Sequence, residues 1–229
     1  MEYQKTKNKF VDVLVSSETV KPFFTNPTPW LTRGAIEWLS KNLNQEMVGI
    51  EFGGGSSTPW FANQLKELHT FEANHEFAIL LIEYMSKKPK LISKWCLHFS
   101  NCDWHKINNS YKYQPWSHWK NDSQLISEDD HRLLQVNYCL EIPKKIDFVL
   151  IDGAIREQTL DATLIYIKKN PNLIVCIDNM ESQTMQNQKF KLFNLGFEEK
   201  EFEELDIKLI PTHQQRHITS IFVKSSTYT

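Results

Sequence analysis

Apolar residues run along this chain in two rhythms. Continuous apolar runs occur at Met47 to Phe52 (MVGIEF), Ile146 to Ile151 (IDFVLI) and Leu173 to Ile177 (LIVCI). Such runs suit parallel strands whose two faces are both covered. His69 to Glu72 and Trp95 to Phe99 are shorter strand-like stretches, and two more strands are expected around Phe202 to Ile210 and His217 to Lys224. Between them the spacing changes to that of helices. Pro29 to Asn42 places Trp30, Leu31, Ile36, Trp38 and Leu39 near one face, with Pro29 suited to open the helix. Thr58 to Leu68, Glu76 to Ser86 (apolar at Phe77, Leu80, Leu81 and Tyr84), Leu160 to Lys169 and Gln183 to Leu195 are the other helices. The last of these is closed by Gly196, the residue type that commonly follows a helix end. Strands alternating with helices predict a doubly wound α/β sheet, mostly parallel, with helices on both faces. No repeat or low-complexity linker divides the chain, so a single domain over residues 1–229 is expected. It would carry an N-terminal helical segment to about residue 45 and an inserted segment at about residues 103–143.

Glycine is distributed unevenly. The chain has 7 glycines, and three of them are consecutive at Gly53, Gly54 and Gly55, directly after the first apolar strand. A strand, a glycine loop and a helix form a cradle, because small residues admit a ligand to the backbone and the helix start offers free N–H groups. A tight turn alone can also demand glycine. The dinucleotide fingerprint G-x-G-x-x-G fits only partly: Gly53 and Gly55 match its first two glycines, but Thr58 occupies the third position. Glu72 closes the next strand about 20 residues on, where a carboxylate can accept both hydroxyls of a ribose. The alternative for Glu72 is a solvated acid at a helix entry, like Glu76.

Composition narrows the function classes. The hydrophobic fraction of 41% and charged fraction of 24% are ordinary for a globular protein, and the net charge of −2 gives no reason to expect nucleic acid or an anionic membrane as the main partner. No stretch approaches the ~20 apolar residues of a membrane span, and the N-terminus lacks the apolar core of a signal peptide. The cysteines at 96, 102, 139 and 176 form no CxxC pair, so their spacing indicates neither a disulfide framework nor a zinc site. A reduced, cytoplasmic protein is the expectation.

The stretch IEFGGGSSTPWFA followed by HTFEANHEF resembles the first two motifs of class I S-adenosylmethionine-dependent methyltransferases, in particular a subgroup with an ExGxGxST start. The resemblance extends in outline over residues 28–224, through PWLTRGAIEWL, FVLIDGAIRE, VCIDNME and a closing TSIFVK. It implies a Rossmann-like, seven-stranded sheet whose last strand, around Ser220 to Val223, runs antiparallel. It also implies S-adenosyl-L-methionine as cofactor. Glu51 would face the methionine amino group, Gly53, Gly54 and Gly55 would pass beneath the cofactor with Ser57 and Thr58 completing the cradle, and Glu72 would hold the ribose. Asp103 would reach the adenine, a place that Asn101 fits nearly as well. The implied reaction is methyl transfer to oxygen, or else nitrogen, of a small-molecule or glycan-like acceptor. An NAD(P)-dependent oxidoreductase and a catalytically silent S-adenosylmethionine-binding protein remain the alternatives.

A second constellation lies at Asp152, Asp178 and Asn179, which end the fourth and fifth predicted strands. Ligands bind at the carboxyl ends of parallel strands, so these side chains should converge. Two carboxylates and an amide oxygen are hard ligands that suit Mg²⁺. The pattern resembles the metal site of catechol-type O-methyltransferases, but where that group has a lysine this chain has Ile155, and Arg156 beside it instead resembles the ExGxGxST subgroup. Asp178 and Asn179 would equally serve as caps of the following helix. Asp152 would orient or deprotonate the acceptor, and Arg156 would hold an anionic group of the substrate or pair with an acid such as Glu157. His213 and His217 fall in a connection between strands, from which one of them would reach the ligand edge as a base. The segment at 103–143, with Trp104, Tyr111, Tyr113, Trp116 and Trp119, is either a packed excursion or a lid over the acceptor.

Overall fold

A computed structural model describes residues 26–72, 75–99, 145–153, 156–170, 172–206 and 215–224. Its elements are α1 (Arg33–Asn42), β1 (Val48–Phe52), α2 (Ser57–Gln64), β2 (Glu67–Glu72), α3 (His75–Ser86), α4 (Pro89–Ile92), β3 (Trp95–Phe99), β4 (Phe148–Ile151), α5 (Arg156–Lys169), β5 (Ile174–Ile177), α6 (Gln183–Phe193), β6 (Phe197–Asp206) and β7 (Gln215–Lys224). The seven strands form one sheet in the order β3-β2-β1-β4-β5-β7-β6. The first five pair in parallel, and β7 is antiparallel to both β5 and β6. The expected doubly wound, seven-stranded sheet with an antiparallel last strand is therefore what the chain builds. Among the described residues no helix is long and apolar enough to cross a membrane.

The apolar runs are continuous because both sides of each central strand are buried. Alternate residues point to opposite faces. On one face Ile50, Phe52, Phe71, Val149, Ile151, Val175, Ile177 and Phe222 pack with Leu160 and Ile167 of α5 and Met185 and Leu192 of α6. On the other, Leu68, Phe148, Leu150, Cys176 and Ile221 pack with Ala35 and Leu39 of α1, Phe61 and Ala62 of α2 and Met85 of α3. A five-residue strand with both faces covered has no polar position to spare except at its ends. Polar groups on these strands therefore mark places where something other than packing is served.

The boundaries differ from expectation where the apolar spacing is ambiguous. α1 begins at Arg33 rather than Pro29, and the Thr32 N–H at its start donates to Thr219 Oγ1 at 3.0 Å. α2 stops at Gln64, and β2 begins already at Glu67. Leu65 and Leu68 are both buried in the same cluster, so the apolar pattern alone extends the helix across the bend between them. The cap of α6 is Ser182, whose hydroxyl accepts the Met185 N–H, so Asp178 and Asn179 do not cap that helix. Asp103, Asn101, Ile155, His213, the aromatic segment at 103–143 and the first 25 residues lie outside the described residues.

Candidate functional site

The three glycines serve different ends. Gly53 has φ +90°, a conformation that side chains rarely adopt, and a Cβ there would lie 2.5 Å from the Asp152 carbonyl oxygen and 2.7 Å from Gly153 Cα. The loops after β1 and β4 thus touch backbone to backbone. A Cβ on Gly54 would meet Leu81 Cδ1 at 2.6 Å and Thr70 Cγ2 at 2.9 Å, so this glycine lets α3 close over β2. Gly55 alone of the three faces open space, with nothing within 4 Å of its would-be Cβ. Two of the three are required by the fold, and the third leaves the backbone open to a ligand.

The place is the one that sheet topology favours. From β1 the chain crosses to β2 on one side, whereas β4 lies on the other side, so a crevice opens above the carboxyl ends of β1 and β4. Register sets which side chains face it. Glu51 pairs with Thr70 and Leu150, Leu150 with Cys176, and Cys176 with Ile221. Two positions along, the same face carries Glu72, Asp152, Asp178 and Thr219. Four carboxylates from four adjacent strands thus share one face near one edge.

Glu51 is buried, and it is fully satisfied by hydroxyls. Ser57 Oγ donates to its Oε1; Thr58 Oγ1, at 2.6 Å, and Thr70 Oγ1, at 3.0 Å, donate to its Oε2. Thr58 Oγ1 in turn accepts the Gly55 N–H at 3.1 Å. Burial pushes the Glu51 carboxyl up to about 7 against the pull of these three hydroxyls, and the nearby Glu72 charge adds to the rise. Glu51, Ser57 and Thr58 therefore brace the glycine loop from below, which differs from the expected presentation of Glu51 to a ligand. Thr70, which the sequence does not single out, closes this network and also accepts the Trp95 Nε1–H at 2.9 Å. Glu72 Oε2 accepts the Gly54 N–H at 2.7 Å, so the carboxylate at the end of β2 is fixed beside the glycine loop. Glu72 is thereby held next to the open backbone at Gly55.

Asp152 is strongly perturbed by its surroundings. Burial and the neighbouring Asp178 charge raise its pKa, and Arg156 opposes the rise. Arg156 Nη2 donates to Asp152 Oδ1 at 3.1 Å and also to Asn179 Oδ1. Asn179 sits at φ 55°, a left-handed conformation that asparagine tolerates, and its Nδ2 donates to Glu181 Oε1. Asp178 Oδ1 is occupied by Thr219 Oγ1 at 2.7 Å and His217 Nε2 at 2.9 Å. The expected Mg²⁺ half-shell does not fit this arrangement. A guanidinium already sits on two of the three proposed ligands, and the third is turned toward an imidazole and a hydroxyl. Glu157 Oε2 accepts from Gln188 Nε2 at 3.1 Å.

His217 reaches the ligand edge from β7, whose antiparallel direction brings its first residues to the carboxyl end of β5. Burial alone would lower its pKa, but the hydrogen bond and charge of Asp178, with Glu181 and Asp152 behind it, raise it to about 9. It is therefore a cation at neutral pH and holds Asp178 in place. The side chain of Asp178 is only 3% exposed, against 22% for Asp152. Asp152 is the acid of this pair that a second molecule can reach.

No protein-family model and no curated protein matches the chain. Solved structures do. An O-methyltransferase from Bacillus cereus, in complex with SAH, matches over 95% of this chain and 96% of its own at 14% identity and a TM-score of 0.51. An rRNA methylase from Streptococcus thermophilus matches over 82% of this chain and 93% of its own, again at 14% identity and a TM-score of 0.51. Precorrin-6y C5,15-methyltransferase from Geobacter metallireducens covers 83% of this chain and 87% of its own at 14% identity and a TM-score of 0.50. With its strand order and antiparallel seventh strand, the chain has the fold of class I S-adenosylmethionine-dependent methyltransferases.

Proposed function

We propose that this protein transfers a methyl group from S-adenosyl-L-methionine to a hydroxyl oxygen of a small-molecule or glycan-like acceptor. The observation that carries the reading is the opening at Gly55 beside Glu72, set at the switch point of a sheet with methyltransferase strand order. A dinucleotide-binding sheet has parallel strands in the order 3-2-1-4-5-6, whereas here an antiparallel strand is inserted before the edge, which disfavours the NAD(P) alternative. When bound, the cofactor would supply a methyl group activated on a sulfonium.

The chain's own part is to position and to take up a proton. Glu72 would accept the ribose hydroxyls, with the backbone at Gly55 allowing close approach. Asp152 would take the acceptor's proton on its carboxylate, because a raised pKa makes it a better base near neutrality and its partial exposure makes it reachable. Arg156, held also by Asn179, fixes the Asp152 rotamer, so it is a positioning residue. Acids at this edge and a net charge of −2 favour a neutral or cationic acceptor over a phosphate-rich one.

The Glu72→Ala variant tests the cofactor side of this reading. S-adenosylhomocysteine should bind ~1–3 kcal/mol more weakly, from the loss of an acceptor for buried hydroxyls. Thermal unfolding should shift little by comparison, since losing the acceptor of the Gly54 N–H is offset by relief of the Glu72 charge beside buried Glu51. Unchanged affinity by calorimetry would remove Glu72 from the cofactor site.

A further inference from the structure

β2 and β3 form one outer edge of the sheet, and on the face opposite Glu51 they bring together unlike side chains. Glu67 and His69 are two apart on β2 and so share a face, and Cys96 is the register partner of His69 on β3. One carboxylate oxygen, one imidazole nitrogen and the Cys96 sulfur all lie within 4.8 Å of one another. His69 Nε2 is 2.8 Å from Glu67 Oε1, and its Nδ1 is 2.8 Å from His98 Nε2. A hydrogen-bonded relay through Glu67, His69 and His98 accounts for those three groups. It does not account for a thiol placed in the same cluster from the neighbouring strand.

We propose that Glu67, His69 and Cys96 bind one zinc-class divalent ion, with water completing a tetrahedron. The ligand set is one sulfur, one imidazole nitrogen and one carboxylate oxygen, the mixture that a borderline-soft cation takes and that Mg²⁺ or Ca²⁺ does not. The contact between His69 Nε2 and Glu67 Oε1 is held by a proton, and the ion would replace it. Bonds of about 2.0–2.2 Å to nitrogen and oxygen in a tetrahedron need those two atoms about 3.3 Å apart, an opening of roughly half an ångström. Cys96 is exposed, so its side chain can rotate to complete the set. His98 would accept the Nδ1–H of His69 and fix the tautomer that coordinates through Nε2, the usual role of a group behind a metal-bound histidine. Glu67 and His69 lie five and three residues before Glu72 on β2, so the ion would sit about 10–16 Å along the strand from the cofactor edge. It would clip the edge strand β3 to β2 and take no part in the chemistry. The cysteine spacing carries no sign of this site, because its ligands come from two strands and are joined only by register.

Titration of the full chain with Co²⁺, followed by absorption, tests the proposal. A thiolate-to-cobalt band in the near ultraviolet should grow and saturate at one ion per chain, and Zn²⁺ but not Mg²⁺ should bleach it. Cys96→Ser should abolish the band while leaving circular dichroism and metal-free thermal unfolding unchanged, as an exposed position allows. His98→Phe keeps the ring stack and should weaken Co²⁺ binding by about 10–100-fold. Zn²⁺ should raise the melting temperature of the unmodified chain but not of Cys96→Ser. No band at saturating Co²⁺, or a band that persists in Cys96→Ser, would overturn the site.

Discussion

Changing Asp152 to Asn should lower the rate of methyl transfer by about 10²–10⁴-fold, the range that a positioned general base contributes. In the proposed reaction Asp152 serves the acceptor and not the cofactor, so binding of S-adenosylhomocysteine should be nearly unaffected. The carboxamide oxygen still accepts from Arg156 Nη2, so the local geometry should survive. Stability should hold or improve at neutral pH, since the substitution removes one of two neighbouring carboxylates whose repulsion raises the Asp152 pKa. Lost turnover with retained or increased stability is what a site that sacrifices stability for reactivity predicts. Turnover within a few-fold of the parent, on any acceptor that supports reaction, would assign the base role elsewhere. A large fall in melting temperature would make Asp152 a structural partner of Arg156.

Stability should fall as pH rises from mildly acidic to alkaline, and Glu51 and His217 each contribute a step to a fall in which the raised Asp152 carboxyl also shares. The pKa of Glu51 is raised from 4.5 to about 7 by burial, so the folded protein holds that proton more tightly than the unfolded chain. The advantage is fully present below about 4.5 and is lost as pH passes through about 7. His217 is raised from 6.5 to about 9 by Asp178 and the acids behind it, so its contribution is complete below 6.5 and disappears as pH passes through about 9. Each step corresponds to about 2–3 kcal/mol, the second at the lower end because the imidazole is partly solvated, and together they are a sizeable part of a typical domain's stability. Urea unfolding across this range should show the midpoint declining throughout, and Asp152→Asn should remove the middle part of the decline. Glu51→Gln should erase the lower step and His217→Gln the upper one. A midpoint that is flat or rises with pH would contradict both assignments.

The fold was legible because its signals are local. Continuous apolar strands, the helical spacing of Leu160 to Lys169 and the glycine after α6 each report on their own surroundings, and every expected strand within the described residues is present. The edges of elements were not legible where one burial pattern serves two conformations, as at Leu65 and Leu68. The site divides along the same line. Gly53 to Gly55, Glu72 and Asp152 stand at strand ends, a placement that spacing alone predicts. What spacing does not give is direction: the Glu51 carboxylate turns inward because Ser57, Thr58 and Thr70 offer it three hydroxyls, and Thr70 belongs to the next strand. Arg156 opens α5 and places its guanidinium between Asp152 and Asn179, where the metal was expected. His217 shows an edge role only once β7 is known to run antiparallel beside β5.

Calorimetric titration of the whole chain with S-adenosylhomocysteine, NAD and NADP in turn decides which cofactor the glycine cradle takes. S-adenosylhomocysteine should give a saturable isotherm at one molecule per chain, weakened by Glu72→Ala, and neither dinucleotide should give saturable heat. Saturable binding of NAD or NADP with none of S-adenosylhomocysteine would contradict the proposed cofactor.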